Sequence, residues 1–579
     1  MNVVPAGIES HECDVLVIGA GGAGLRSAIA ASALGARTTL VCKSLLGKAH
    51  TVMAEGGVAA ALANVDVDDS WQVHLSDTLF GGKYLNNWRM AELHAKEAPE
   101  RVTELERWGG VFDRTPDRRM SQRAFGGHTH KRLVHIGDRT GRELLRTLQD
   151  RAVHQGVDVF MEYTVTRLLT DGDRVCGALA YKRLTGEFVV FAGRAVVLAT
   201  GGAGRCYRVN SNSWESTGDG HALAYEVGAE LVDMEFVQFH PTGMVAPPGV
   251  IGLLVTEAVR GEGGVLRNSG GERFMERYDP KRLELSTRDV VARAIYTEVA
   301  EGRGTLRGGV LLDVSHLPSA TVTKKLPGMY DQFLELAGVD ITREPMEVGP
   351  TCHYFMGGVR VEAETAASTV PGLFACGECS GGMNGANRLG GNSLSDLLVF
   401  GKRAGEGAAE FAGSPVTPRI DGAQVREGLD EMAAFQSGDR PEDPYEVEAD
   451  LQRTMQDLVG IFREGDGLSR ALTELERLRA RTAKVGAPGA RAFNPAWNLC
   501  RDLRNLLTCA EAVTRSALMR TESRGAHSRL DHPEYDDYWS KHNIVVRKEP
   551  DGMRVDVRPA VRVPELAALV EARMAAEQS

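Results

Sequence analysis

A glycine-rich turn near the start of the chain constrains the fold more than any other feature. Residues 14–24 read DVLVIGAGGAG, an apolar run typical of a buried parallel strand, and the small-residue segment that follows predicts a helix to about Gly35. A second apolar segment at 37–42 predicts another strand, which completes a βαβ start. Glycines in such a turn permit the tight bend and the close approach of a pyrophosphate, and the helix N-terminus supplies N–H donors. We therefore predict a dinucleotide site at four glycines: Gly19, Gly21, Gly22 and Gly24.

The end of the second predicted strand lacks a residue that such a site usually has. A carboxylate is expected about 20 positions after the glycines, where it holds the ribose. Residues 41–44 read VCKS instead, with Lys43 and Ser44 at the end of the apolar run. This disfavours a simple NAD site. We expect the ribose contact to come from Ser44 or from backbone groups, with Lys43 also at the cofactor.

Three later segments have the composition of further cofactor contacts. Residues 200–204, TGGAG, follow a predicted strand and include Gly201. Residues 217–221, TGDGH, place Asp219 at the start of a predicted helix, and Glu378 follows Gly377 at the end of another strand. Each segment taken alone is equally typical of an ordinary turn. Their joint occurrence favours an elongated dinucleotide, FAD.

Composition disfavours several classes of function. The formal net charge of -11 argues against nucleic acid, whose binding needs clustered positive charge. The nine scattered cysteines indicate reduced thiols in a cytoplasmic setting, and no run resembles iron–sulfur ligands, so no metal site is predicted. The first residues lack the basic and apolar regions of a signal peptide, and no uncharged apolar window of ~18 residues occurs. We expect any membrane attachment to be indirect.

Changes of pattern along the chain predict five segments. Residues 1–236 form the first part of the nucleotide-binding domain, with an antiparallel meander at 158–199. Residues 237–353 are predicted as an inserted domain, and 354–428 as the second part of the first domain. Residues 429–535 have a helical pattern, and 536–579 a strand-containing tail that ends in a helix.

Six long motifs carry a resemblance to a known family: HTVMAEGG, FVQFHPTG, TEAVRGEGG, STRDVVARAI, HYFMGGV and ANRLGGNSL. From about Asp14 to about Pro533 the chain resembles the flavoprotein subunit of succinate dehydrogenase and fumarate reductase. It is most similar to the actinobacterial-type branch, in which KSLLGKAHTVMAEGG stands at the flavin segment. The resemblance implies an α/β class with a glutathione-reductase-like FAD-binding Rossmann fold. It also implies an inserted α+β capping domain and a C-terminal helical domain.

The resemblance gives His50 a role that the residues alone do not. A loop histidine by itself is typical of an ordinary surface residue. The family's matching histidine is bonded to the 8α-methyl carbon of the flavin, which raises the flavin potential. The resemblance also places these residues at the cofactor: Thr51, Gly56, Gly57, Arg388, Ser393 and Leu394.

The substrate implied by the resemblance is succinate or fumarate. A site for a four-carbon diacid needs donors at both ends and a proton acceptor near one carbon, with the flavin N5 facing the other. The family's carboxylate ligands match His240, Thr256, His353 and Arg388, and a guanidinium can fork onto a carboxylate. Phe125 and Gly391 are predicted to line the same pocket. Any one of the four polar ligands, taken alone, is more typical of an ordinary polar residue at the surface or in the core.

The resemblance assigns proton transfer to Arg288, with Glu257 and Arg260 as its relay. Arginine is an unusual acid–base group because its free pKa is above about 12, so it needs such a relay. Glu257 and Arg260 stand three apart, on one face if the segment is helical. Without the resemblance, a surface ion pair is the favoured interpretation of these two residues.

Two rival functions remain open from the sequence, besides the same path run as fumarate reduction. L-aspartate oxidase shares the fold, and residues 126–141 resemble it slightly. Its family has a Glu where this chain has Phe125, and its FAD is not covalently held. The other rival is a catalytically inactive protein that serves as an assembly scaffold. The resemblance further implies a membrane anchor with a quinone, an iron–sulfur partner subunit, and a peripheral position on the cytoplasmic side of the membrane.

Overall fold

The computed structural model describes residues 4–414, 419–436 and 440–578. This part of the chain contains nineteen strands and sixteen α-helices. The strands are β1 Glu9–Ile18, β2 Thr38–Cys42, β3 Val58–Ala59, β4 Gln122–Arg123, β5 Leu133–Val134, β6 Asp158–Met161, β7 Tyr163–Asp171, β8 Arg174–Lys182, β9 Phe188–Leu198, β10 Leu231–Val232, β11 Val237–Met244, β12 Val265–Arg267, β13 Val310–Asp313, β14 Met346–Phe355, β15 Gly358–Arg360, β16 Leu373–Ala375, β17 Ser380–Gly381, β18 His542–Glu549 and β19 Gly552–Pro559. The helices are α1 Gly22–Ala33, α2 Trp71–Gly81, α3 Trp88–Arg107, α4 Thr140–His154, α5 Asp219–Glu226, α6 Ala258–Gly261, α7 Met275–Tyr278, α8 Arg288–Ala300, α9 Ser319–Lys325, α10 Pro327–Ala337, α11 Asn392–Ala412, α12 Gly422–Ala434, α13 Pro444–Leu458, α14 Gly465–Thr482, α15 Pro495–Met519 and α16 Ala567–Gln578.

The central sheet has the order β6-β2-β1-β9-β8-β7, with β16 also paired to β9. β1 runs parallel to both β2 and β9, with Val17 opposite Leu40 on one side and Val197 on the other. The apolar residues of β1 are buried because a parallel strand is covered on both faces. The β1–α1–β2 unit and the antiparallel β7–β8–β9 meander are found where the sequence predicted them.

Helices α1 and α11 pack closely against each other beside this sheet. At Gly405 in α11, a Cβ atom would lie 2.1 Å from the carbonyl oxygen of Ser27 in α1. The two backbones approach this far because glycine has no side chain. This packing holds α11, whose first turn includes Ser393 and Leu394, beside the glycine turn that precedes α1.

Residues 237–353 contain a second sheet, ordered β11-β14-β13-β12, which packs against α8. The buried side chains between this sheet and α8 form an apolar core separate from that of the central sheet. They include Val291 and Ile295 of α8, Leu312 of β13 and Val348 of β14. This agrees with an inserted unit, although β14 continues to Phe355. The exact domain boundaries stay a prediction.

The remaining chain adds helices and a hairpin to this framework. α13, α14 and α15 pack on one another, and α15 also packs on α5. The β18–β19 hairpin joins a five-stranded sheet by pairing β18 with β10, Leu231 opposite Val546. Among the helices described, none combines the length and the apolarity needed to cross a bilayer.

Candidate active site

A continuous cleft passes over the carboxyl ends of β1, β2 and β9. It is lined by nearly all the residues predicted to hold the cofactor: Gly19, Gly21, Gly22, Lys43, Ser44, His50, Thr51, Gly56, Gly57, Gly201, Asp219, Glu378, Arg388, Ser393 and Leu394. Gly24 does not line the cleft. It lies inside α1, where a Cβ atom would come within 1.8 Å of the Gly19 carbonyl oxygen, so it permits the helix to pack on the turn.

The glycine turn has the geometry that a pyrophosphate needs. Gly19 has φ +111°, and a Cβ there would lie 2.2 Å from the Ala199 carbonyl oxygen, so only glycine fits without strain. The N-terminus of α1 follows at once, and the Gly22 N–H donates to Thr51 Oγ1 at 3.1 Å. A second helix, α11, begins at the same cleft after Gly391, whose φ is +84°. Two helix N-termini and a glycine cradle fit the anionic and polar parts of an FAD molecule.

His50 lies in a 3₁₀ turn, His50–Met53, on the wall of the cleft. The Ser213 N–H donates to its Nδ1 at 3.3 Å, and Asn212 Nδ2 lies 3.4 Å from its Nε2. Burial lowers the pKa of His50 to about 4, and the positive charge of Arg388 contributes to that decrease. The imidazole is therefore neutral at ordinary pH, which is the form that can act as a nucleophile toward the flavin.

The other end of the cleft holds a buried cluster of guanidinium groups. Gln238 Oε1 accepts hydrogen bonds from Arg288 Nη1 at 3.2 Å and from Arg388 Nη2 at 3.0 Å. Arg288 Nε donates to Glu257 Oε2 at 2.7 Å, and Arg260 Nη2 lies 3.5 Å from the same oxygen. All five side chains are at least nine-tenths buried. The predicted catalytic set therefore converges, and the interpretation of Glu257 and Arg260 as a surface ion pair is wrong.

The charge of this cluster is unbalanced. Arg288 and Arg260 approach the Glu257 carboxylate, and Arg388 is joined to Arg288 through Gln238 Oε1, so these four charged side chains carry a formal excess of two positive charges. Burial alone would raise the pKa of Glu257, but the charges of Arg288 and Arg260 outweigh it and keep that pKa below its ordinary value. Burial, followed by the charge of Arg288, lowers the pKa of Arg388 to about 9. Arg388 Nε is buried and finds no hydrogen-bond partner among the described residues.

Two imidazoles face the same cavity. The rings of His240 and His353 lie 5.1 Å apart between centroids. Burial lowers both pKa values well below the ordinary range, and the charge of Arg288 adds to the effect for His240. Both rings are therefore neutral donors or acceptors at ordinary pH. Thr256, buried just before α6, lines the same wall.

Phe125 lines the same cleft beside Glu257. Its ring packs between two glycines: a Cβ at Gly56 would lie 2.6 Å from the ring, and one at Gly390 would lie 2.3 Å from it. Close by in the chain, the Gly126 N–H donates to Glu257 Oε1 at 2.8 Å. Glu257 is already engaged by the arginines, so this wall of the pocket is apolar.

Sequence reasoning missed several residues of this site. Gln238 stands inside the motif FVQFHPTG, yet nothing in its local pattern indicates that it joins two arginines. Tyr354 lies 4.2 Å under the guanidinium of Arg388, measured to the ring centroid, and Ser211 Oγ lies 2.8 Å from His353 Nδ1. Asp502 and Asn505 of α15 reach the cofactor end, although the helical segment carried no recognisable chemical pattern.

Comparison with known proteins identifies the family. Residues 14–394 match the family model described as FAD binding domain, and residues 448–573 match the one described as Fumarate reductase flavoprotein C-term. The succinate dehydrogenase flavoprotein subunit of Coxiella burnetii is 39% identical over 564 residues, covering 93% of this chain and 95% of the relative. The chain belongs to the succinate dehydrogenase and fumarate reductase flavoprotein family. Membership confirms the α/β fold class, the FAD cofactor and the assignment as a flavin-dependent oxidoreductase.

Both branches of the succinate dehydrogenase and fumarate reductase family are among the relatives. The matching subunit of the fumarate reductase (CoM/CoB) of Methanothermobacter marburgensis is 47% identical over 541 residues, covering 93% of this chain and 98% of that one. The solved structure of Mycobacterium smegmatis Sdh1 in complex with UQ1 has 52% identity and a TM-score of 0.89, with 98% of each chain covered. The family is thus established, whereas the direction of the reaction is not fixed by the relatives.

Proposed function

We propose that the chain is the flavoprotein catalytic subunit of a succinate dehydrogenase, which oxidises succinate to fumarate. One observation carries the proposal: a buried cluster at the end of an FAD cleft has two guanidinium charges in excess of its carboxylate. A dianion with a carboxylate at each end of a short carbon chain would balance that excess. A monoanionic or uncharged substrate would leave buried positive charge unpaired, which is costly.

The residues divide the work of this reaction. Bound FAD supplies the hydride acceptor. The glycine turn, Ser44, Thr51 and the N-terminus of α11 would hold it, and His50 would tether it through Nε2. Arg388, His240, His353 and Thr256 would bind the two carboxylates and fix the orientation of the four-carbon chain.

Proton transfer is assigned to Arg288. Arg288, once it has passed a proton to Glu257 and is neutral, would take a proton from one methylene carbon of succinate. Bound FAD would supply the hydride acceptor for the adjacent carbon, so that the C=C bond of fumarate remains. The contact of Arg288 with Glu257, and of Glu257 with Arg260, gives a path by which the proton leaves the buried site. Fumarate reduction is the same path in reverse and is the alternative direction, supported by the relatives with that name.

Electrons then leave through other proteins. We propose that these are an iron–sulfur subunit and a membrane anchor with its quinone, and that the chain lies peripherally on the cytoplasmic side of the membrane. The Mycobacterium smegmatis relative, solved with UQ1, supports the quinone link.

One experiment tests the proposal against its rivals. The purified full chain is assayed for succinate-dependent dye reduction, for fumarate-dependent oxidation of a reduced dye, and for aspartate-dependent peroxide formation. We expect activity with the first two and none with aspartate, because Phe125 offers an ammonium no charge. Peroxide from aspartate would establish L-aspartate oxidase instead. Inactivity toward all three substrates in a yellow, folded protein would support a role in assembly alone.

A further inference from the structure

The helical segment contributes directly to the wall of the cofactor cleft. α15, Pro495–Met519, packs on α5 and presents Asp502 and Asn505 on one face, three residues apart. Both side chains are buried, with 6% and 2% exposure. They meet Lys43 and Asp219, two residues that line the cleft at the end of β2 and the start of α5.

Lys43 uses all its donors within the protein. Its ammonium donates to Asp502 Oδ1 at 2.7 Å, to Thr217 Oγ1 at 2.9 Å and to Asp219 Oδ2 at 3.1 Å. An ammonium has three N–H groups, so none is left for FAD. The prediction that Lys43 lies at the cofactor stays a prediction, and the structure pairs its ammonium with the carboxylates of Asp219 and Asp502.

Asp219 is held equally firmly. Its Oδ1 accepts from Thr217 Oγ1 and from Asn505 Nδ2, both at 2.8 Å, while its Oδ2 faces Lys43. Burial alone would raise the pKa of Asp219, but the Lys43 charge together with the hydrogen bonds from Asn505, Thr217 and Lys43 outweighs it and lowers that pKa. The end of β2 is where this fold binds a ribose, and the carboxylate usually found there is absent from the strand. Here the carboxylate of Asp219 reaches the same edge from the start of α5, and its hydrogen bond with Asn505 of α15 sets its position.

We propose that Asp502, with Asn505, is a positioning residue for FAD: it orients Lys43 and Asp219 and thereby makes cofactor binding depend on the docking of α15. The inference rests on the proposed FAD site but not on the substrate. It also explains why a segment 459 residues from Lys43 places a charged side chain in this wall.

The test measures FAD binding in the full chain carrying His50→Ala, so that the cofactor exchanges freely. Asp502→Leu is expected to weaken FAD affinity about 10-fold or more, as loss of a charge-assisted hydrogen bond does. Asp502→Asn, which keeps an acceptor oxygen, should restore most of the affinity. Asn505→Ala, which removes the hydrogen bond to Asp219, should also weaken FAD binding. This variant takes the place of Asp502→Leu in the test if Asp502→Leu does not fold. Glu511→Gln is the matched control, since Glu511 lies on α15 but pairs with Arg479 and Arg515.

A second measurement separates positioning from plain stability. The increase in Tm that FAD produces depends on its affinity for the folded state. A positioning role predicts a smaller increase in Asp502→Leu and an unchanged one in Glu511→Gln. The inference is wrong if each of Asp502→Leu and Asn505→Ala lowers Tm by the same amount with FAD as without it, and if the Kd for FAD is unchanged in both. If His50→Ala with Asp502 intact binds no FAD, the proposed cofactor site fails, and the inference fails with it.

Discussion

Arg288 Nε lies 2.7 Å from Glu257 Oε2, and both side chains are almost completely removed from solvent. This contact forms a fixed hydrogen-bonded line along which a proton can pass between the two side chains. The pair therefore joins the substrate end of the cavity to Arg260 behind it.

Arg288→Lys is expected to lower kcat for succinate oxidation by about 10²–10⁴-fold, the range for loss of a positioned acid–base group. The ammonium of a lysine is a compact point charge, so it does not reproduce the planar fork by which the guanidinium contacts Glu257 through Nε and Gln238 through Nη1. Steady-state dye reduction gives kcat, and the flavin absorbance spectrum should stay unchanged. Arg267→Lys, at a site outside the cleft, is the control. A kcat within a few-fold of wild type would remove Arg288 from the proton path.

Gln238→Glu tests the charge argument with almost no change of shape. The new carboxylate would neutralise part of the excess positive charge shared by Arg288 and Arg388. We expect KM for succinate to rise about 10-fold or more, because the substrate dianion then meets a like charge. Gln436→Glu, at a site outside the cleft, should leave KM unchanged. An unaltered KM in Gln238→Glu would show that the arginine excess does not bind substrate.

His50→Ala is expected to abolish covalent attachment of the flavin. Wild-type protein precipitated with acid should stay yellow and show a fluorescent band in a denaturing gel, whereas the variant should release its FAD. Succinate oxidation should fall more than fumarate reduction, because an untethered flavin has a lower potential and is a weaker oxidant. His316→Ala, an exposed histidine, is the control. Fluorescence that persists in His50→Ala gels would place the attachment elsewhere.

Glu378→Gln predicts a pH-dependent change of stability in protein freed of FAD. Burial raises the pKa of Glu378 to about 7, against about 4.3 for an unfolded glutamate. As pH rises, Glu378 therefore loses its proton in the unfolded state first. Between pH of about 4 and 7 this lowers the free energy of unfolding, because the folded state keeps the proton. The variant lacks that cost, and Gln can still accept the Phe355 N–H.

We therefore expect Glu378→Gln to have a higher Tm than the parent at pH 8 and a similar Tm at pH 5. The parent is the full chain with His50→Ala, prepared without FAD, and thermal unfolding is followed at both pH values. Glu427→Gln, on the surface of α12, should show no such pH dependence. A stability difference of the same size at both pH values would contradict the raised pKa.

Local sequence determined the glycine turn and the first βαβ unit. The geometry of that turn depends on neighbours a few residues apart, so Gly19 and Gly22 are recognisable from the chain alone. Sequence motifs likewise pointed to His240, Arg288, His353 and Arg388 as one chemical set. The family match bears out that resemblance, while the role of each residue stays a prediction.

Only the tertiary structure decided which groups meet. Gln238 joins Arg288 to Arg388 across separations of 50 and 150 residues, and Glu257 with Arg260 lies in the interior, where the spacing alone favoured a surface pair. Asp502 reaches Lys43 because α15 packs on α5, and no pattern within a helix encodes that neighbour. Side-chain type and local geometry follow from nearby residues, but burial, shared charge and pKa depend on packing between segments that are distant in sequence.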